Sequence, residues 1–264
     1  MTGATDDRTL TSRYEYKFLI DRRLADPIRR FIEPFTQPDP YAEPRPGHRY
    51  PICSLYLDTP DLQLYRQTRA GEKNRFKMRI RSYSDGADDP VFFEIKRKVD
   101  TTVLKCRCRI ERAEVDELLT RRVRSELDTS NDAALEEFSC LWLLGDTRPV
   151  VRVKYEREAY ESKNGDPVRV TFDHRLAHLL TSDFNLQRNG RGWLDTPVDQ
   201  TIFEVKFTGR YPDWLRELAH GFQLQRTSVP KYCWAIDSAL DDGRYSPNLS
   251  AGLGDLGPRR QGLS

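Results

Sequence analysis

No run in the 264-residue sequence approaches the ~18 consecutive apolar residues that a bilayer-spanning helix needs. The opening MTGATDDRTLTSR lacks the apolar stretch of a secretory signal, so the expected address is the cytoplasm. Cysteine is scarce: Cys53, Cys106, Cys108, Cys140 and Cys233 form an odd set with no C-x-x-C pair. That excludes a disulfide framework and a cysteine zinc site, and leaves five reduced packing residues. Of the four histidines, only His174 and His178 are spaced i, i+4, and no ligand cluster stands beside them. A large charge excess is missing too. Lys and Arg number 43 against 41 Asp and Glu, a formal +2, and the sequence pI of about 8.2 falls short of the ~9 usual in proteins that coat nucleic acid. Between the ends there is no low-complexity linker and no repeat.

What the chain does have is charge in quantity, 32% of residues, together with 38% hydrophobic residues, enough for a core. Strand patterns run over 13–20, 50–59, 75–83, 91–99, 102–110, 150–160, 168–176 and 201–207. Helix patterns cover 21–35, 60–70, 112–128, 132–145, 212–222 and 229–240, the second with Pro60 at the favoured first helical position. Turn residues in SDGADDP and KNGDP mark hairpins. Residues 1–12 and 243–264 are polar, Gly- and Pro-rich ends expected to be disordered, flanking one domain over 13–242. Many strands joined by turns imply an α+β fold: an antiparallel β barrel of about eight strands with helices packed outside.

Side chains alternate between the two faces of a strand. In FKMRIRSY, Phe76, Met78 and Ile80 therefore oppose Lys77, Arg79 and Arg81. Six more strands repeat the design. Arg13, Glu15 and Lys17 oppose Tyr14, Tyr16 and Phe18; Glu94, Lys96 and Lys98 oppose Phe93, Ile95 and Val99; Lys105, Arg107 and Arg109 oppose Cys106, Cys108 and Ile110. Arg152 and Lys154 oppose Val151 and Val153; Arg169, Thr171 and Asp173 oppose Val168, Val170 and Phe172; Glu204 and Lys206 oppose Phe203, Val205 and Phe207. One such strand is simply half-buried. Seven dominated by cations are harder to explain that way, because directly opposed like charges are unfavourable.

If the sheet closes, these charges point inward, and the interior of an eight-stranded barrel holds side chains or a small ligand. Packed Arg and Lys then need an anion, and guanidinium forks suit phosphate oxygens. No aromatic residue is read as interleaved on the cationic face, which argues against nucleic acid. Three E-x-K steps, Glu15-Tyr16-Lys17, Glu94-Ile95-Lys96 and Glu204-Val205-Lys206, place carboxylates among the cations. They serve either as hard oxygen ligands for Mg²⁺ or Mn²⁺ or as salt-bridge partners of the neighbouring lysines.

The combination of RYEYKFLI, SLYLDTPDLQLYRQTRAGEKNRFKMRIRSY, FFEIKRK, VRVKYEREAY, VRVTFD, FEVKF and SVPKYCWAI, in that order over about 13–240, resembles the VTC domain. That domain is the polyphosphate polymerase module of the vacuolar transporter chaperone complex, within the triphosphate tunnel metalloenzyme (CYTH-like) superfamily. The resemblance implies an antiparallel tunnel barrel, a bound polyphosphate or nucleoside triphosphate, and Mn²⁺ or Mg²⁺ as cofactor. Carried over by motif, Lys17, Arg79, Arg81, Lys96, Lys105, Arg157, Arg169 and Lys231 become phosphate ligands, joined by Lys206 on the channel face. Glu204, with Glu15, becomes the metal ligand, and Arg79, Arg81 and Lys231 the catalytic group. Three departures stand out: RYEYK carries one glutamate of the longer E-x-E-x-K signature, Pro230 replaces the serine common before Lys231, and Arg157 falls on the apolar phase of its strand. The implied activity is metal-dependent transfer of a phosphoryl group from ATP to polyphosphate. Triphosphate hydrolysis and non-catalytic polyphosphate binding, as subunit to a membrane protein, remain the alternatives.

Overall fold

Alternating sequence becomes strand nearly everywhere the pattern was clear. The computed structural model describes residues 13–100, 102–115, 133–165 and 167–243. The two terminal segments expected to be disordered, apart from Gly243, and 116–128 of the helix expected over 112–128 lie outside them. The strands are β1 (Arg13–Ile20), β2 (Thr36–Pro38), β3 (Arg49–Asp58), β4 (Arg75–Ser82), β5 (Val91–Val99), β6 (Thr102–Ile110), β7 (Arg148–Ser162), β8 (Val168–Leu180), β9 (Leu194–Asp195) and β10 (Thr201–Thr208). The helices are α1 (Ala25–Ile32), α2 (Gln63–Arg69), α3 (Ala133–Leu144), α4 (Asp213–Gly221) and α5 (Lys231–Asp241).

The sheet follows the order β1-β10-β8-β7-β3-β4-β5-β6, with β2 beside β7 and β9 beside β8. The registered pairs are antiparallel, so the α+β class with an eight-strand antiparallel path is as expected. The chain divides into two compact units: the first takes residues up to Tyr50 with Glu156–Arg175 and Val198–Val229, the second Pro51–Tyr155, Leu176–Pro197 and the residues from Pro230 onward. β7 and β8 run through both.

Each unit buries the apolar phase of its strands under helices. In the first unit, Phe18 and Ile20 of β1, Val170 and Phe172 of β8, and Phe203 and Val205 of β10 pack with Ile28 and Ile32 of α1 and Leu215 and Leu218 of α4. In the second, Leu55, Leu57, Met78, Ile80, Phe93, Ile95, Cys108 and Ile110 pack with Leu135 and Phe138 of α3. Burying such a side chain contributes roughly 1.5–3 kcal/mol, which fixes strand register, because a slip of one residue would place the charged phase in the core.

The start of α2 differs from expectation, as does that of α1, which begins at Ala25 and not at 21. Pro60 is not the first helical residue; α2 begins at Gln63, after Leu62 with φ of 58°. The Asp58 carboxylate terminates the turn instead, accepting from the backbone N–H of Thr59, Leu64 and Tyr65 at 2.7–2.8 Å and from the Tyr232 hydroxyl at 2.5 Å. Four donors on one buried carboxylate outweigh the proline preference at a single position.

Candidate functional site

Cross-strand register turns the alternation of the second unit into rows. Lys77, Lys96 and Lys105 lie opposite one another across β4, β5 and β6, and the next row is Arg79, Glu94 and Arg107. Rows of like charge repel, and the one carboxylate in the middle answers them. Glu94 is 1% exposed; its Oε2 accepts from Arg79 Nε at 2.7 Å and stands 3.9 Å from Arg81 Nε. Its Oε1 is 2.7 Å from Lys105 Nζ and 3.4 Å from Arg107 Nε. Burial alone would raise the Glu94 carboxyl pKa, yet Arg79, Arg81 and Lys105 hold it well below the usual carboxylate range. With Lys77 and Lys96 beside it, this face carries six cations around one anion.

The neighbouring strands add hydroxyls. Ser54 Oγ accepts from Arg81 Nε at 3.1 Å, Tyr155 Oη from Arg81 Nη2 at 3.4 Å, and Tyr56 Oη from Arg79 Nη1 at 3.3 Å. Burial would raise the Tyr56 phenol, but Arg79, Arg81 and Lys77 bring it below its ordinary value. Lys231, the first residue of α5, places its ammonium 4.9 Å from the centre of the Tyr155 ring. The structure therefore brings Arg79, Arg81 and Lys105 together on Glu94, sets Lys96 in the adjoining row, and ties Lys231 to Arg81 through Tyr155.

Two expectations about this face are corrected. Arg152 and Lys154 do not share it: Arg152 Nη1 donates to the Gln187 carbonyl and Lys154 Nζ to the Arg188 carbonyl, each at 3.1 Å, with Trp193 beside both. That loop satisfies these cations, and on β7 it is Tyr155 that meets Arg81. Arg157 has the parity of Tyr155, so its apparent departure from phase came from assigning β7 the wrong polar face. Nor is the cationic face free of aromatic rings. Phe92 lies in register between Arg81 and Arg109, with the Arg107 guanidinium 3.6 Å from its centre. Phe92 has the parity of Glu94 and Lys96, a signal visible in the sequence; the cation covering it keeps it from serving as a bare stacking platform.

The first unit carries a second charged face. Lys17, Glu204 and Thr171 form one row across β1, β10 and β8, and Glu15, Lys206 and Arg169 form the next. Lys17 Nζ is 2.5 Å from Glu15 and 3.8 Å from Glu204, whose other oxygen is 2.6 Å from Lys206. Burial disfavours the Lys17 ammonium, but Glu204 and Glu15 outweigh it and raise its pKa. Arg169 reaches Asp39 and the Tyr50 hydroxyl, while Arg157 is buried in a two-point fork on Asp173 at 2.6 and 2.8 Å. Glu15 and Glu204 thus make salt bridges to the lysines of their own E-x-K steps, whereas Glu94 turns to Lys105 on the next strand. No group of three or more His, Cys, Asp or Glu forms a metal cage among the described residues. Glu204 and Glu15 still fit Mg²⁺ or Mn²⁺ in a mode that needs only one or two carboxylates, the remaining positions going to phosphate and water.

The family model of the VTC domain matches residues 12–240. This chain belongs to the VTC domain family. Among solved structures, this VTC domain is similar to a candidate adenylate cyclase of Bacillus halodurans, at 14% identity over 81% of this chain and 91% of that one, with a TM-score of 0.46. It is similar to a protein of Pyrococcus horikoshii at 15% identity, 88% and 99% coverage and a TM-score of 0.41. A candidate adenylyl cyclase of Hippeastrum, described as having a dominant triphosphatase activity, matches at 14% identity, 89% and 98% coverage and a TM-score of 0.43. No helix among the described residues of the VTC domain is long and apolar enough to cross a membrane. Ser54, Tyr56 and Tyr155 are the polar partners that sequence reasoning missed. Ser54 and Tyr56 alternate within SLYLD, a run whose high apolar content hid its polar phase.

Proposed function

We propose that this protein catalyses metal-dependent phosphoryl transfer, extending polyphosphate at the expense of ATP. The observation that carries the reading is the surplus of positive charge around Glu94, where Arg79, Arg81, Lys105 and Arg107 come within 4 Å of one carboxylate. Such a surplus on a half-buried face calls for a polyanion, and guanidinium forks with ammonium groups match phosphate oxygens in charge and donor geometry. In this reading Arg79, Arg81, Lys96, Lys105 and Lys231 bind phosphate oxygens, as do Lys17, Lys206 and Arg169. Arg157 joins them by exchanging part of its fork on Asp173. Arg79, Arg81 and Lys231 stabilise the charge that spreads over the transferred phosphoryl group. Glu204 with Glu15 would hold Mg²⁺ or Mn²⁺, which when bound supplies neutralising charge and orients phosphates. No covalent nucleophile is needed, because such transfers are accelerated mainly by positioning and electrostatic stabilisation.

The partners in this reading are ATP and polyphosphate, with a membrane protein as host complex. Incubating the purified protein with ATP and Mn²⁺ tests the assignment. Acid-stable phosphate polymer is the expected product. Free phosphate without polymer would replace synthesis by triphosphate hydrolysis, and tight triphosphate binding with neither product would make the protein a binding subunit.

A further inference from the structure

Glu94 lies among the cations proposed to bind phosphate yet offers no donor that a phosphate oxygen could accept from, and at first sight it works against anion binding. Its geometry says otherwise. Arg79 donates to it through Nε, the inner edge of the guanidinium, at 2.7 Å, whereas Arg107 Nε stands 3.4 Å from the other oxygen and its Nη2 donates to Tyr83 Oη at 3.2 Å. A guanidinium has five N–H donors; Arg79 spends Nε on Glu94 and one on Tyr56 Oη, so its Nη2 edge is left to face a ligand. Lys105 is drawn to the same carboxylate from the opposite neighbouring strand. Without that anion, Arg79, Arg81, Lys105 and Arg107 would face one another and the lysine row Lys77, Lys96 and Lys105 with nothing between them.

We propose that Glu94 is a positioning residue: by holding Arg79 at Nε and drawing Lys105 and Arg107 to its other oxygen, it turns the Nη2 edge of Arg79 toward phosphate, and it is not itself a metal ligand. The proposal rests on the phosphate-binding reading above, and it makes a prediction opposite to simple charge counting. Removing a negative charge from an anion site should tighten binding if charge alone matters. If position matters, Glu94→Gln should weaken it, because the amide NH₂ is a donor set among donors and the guanidiniums lose their anchor.

The test measures tripolyphosphate affinity by calorimetry without metal, for wild type, Glu94→Gln and Glu94→Asp, alongside thermal melts, Mn²⁺ binding by paramagnetic resonance, and the ¹⁵N signals of the arginine Nε–H groups. The expected result is at least a tenfold loss in Glu94→Gln, a smaller loss in Glu94→Asp, unchanged Mn²⁺ affinity, and loss of the shifted, slowly exchanging Nε–H signal of Arg79. Glu94→Asp keeps the charge and carries the test if the glutamine variant melts below the assay temperature. Tighter or unchanged binding in a folded variant overturns the proposal, as does weakened Mn²⁺ binding. If the wild type itself binds no tripolyphosphate, the functional reading fails, and the Nε–H signal of Arg79 still decides whether Glu94 positions that arginine.

Discussion

Replacing Glu158 by Gln should cost about 3 kcal/mol at neutral pH and almost nothing below pH 2. Glu158 lies on the helix-facing phase of β7 in the first unit and is 1% exposed. Its oxygens take Arg29 Nε at 3.0 Å and Arg49 Nε at 2.7 Å, with His174 Nε2 at 3.0 Å and the Tyr160 hydroxyl at 3.3 Å. Burial would raise this carboxyl, but His174, Arg29 and Arg49 bring it from 4.5 down to about 2. A depressed carboxyl pKa adds stability that is present above the unfolded value and lost as pH falls through the folded one. At about 1.4 kcal/mol per pKa unit, a shift of roughly 2.5 is worth about 3 kcal/mol at pH 7, about 1 kcal/mol at pH 3 and close to zero below pH 2. For a chain of this size that corresponds to a melting temperature lowered by roughly 6–12 °C at pH 7. Calorimetric melts of wild type and Glu158→Gln at pH 7, 4 and 2.5 supply the check. A gap that persisted undiminished at the acid end would show that Glu158 acts through packing and refute the ionic argument.

Arg79→Ala, which removes bonds to Glu94 and Tyr56 and the free Nη2 edge, is expected to lower tripolyphosphate affinity about 10- to 100-fold and abolish product formation, with circular dichroism unchanged. Lys105→Ala and Lys154→Ala form a matched pair for the face assignment: the first should weaken binding several-fold, while the second, held by the Arg188 carbonyl and Trp193, should leave it within about twofold. Equal losses in calorimetry would contradict the polar face described for β7. Glu204→Gln should cut Mn²⁺ affinity at least tenfold without weakening metal-free tripolyphosphate binding, since it removes a hard oxygen charge from beside Lys17 and Lys206. Paramagnetic resonance of added Mn²⁺ reads that directly.

The eight strands of the main path, their order along the chain and most of their polar faces were legible in the sequence because alternation has a local cause; the short β2 and β9 were not. A period of two on β1, β4, β5, β6, β8 and β10 puts one set of side chains under α1, α3 or α4 and the other set opposite. Motif order likewise carried the family and the expected ligands. The start of α2 and the polar side of β7 were not legible, since each depends on a distant partner: Tyr232 on Asp58 in one case, and the Gln187 and Arg188 carbonyls in the other. Pairing across strands also lay beyond the sequence. It alone sets Glu94 between Arg79 and Arg107, and Glu204 between Lys17 and Thr171. Composition could count the charges; only register, fixed by which apolar phase is buried, decided which of them neutralise one another and which are left for a ligand.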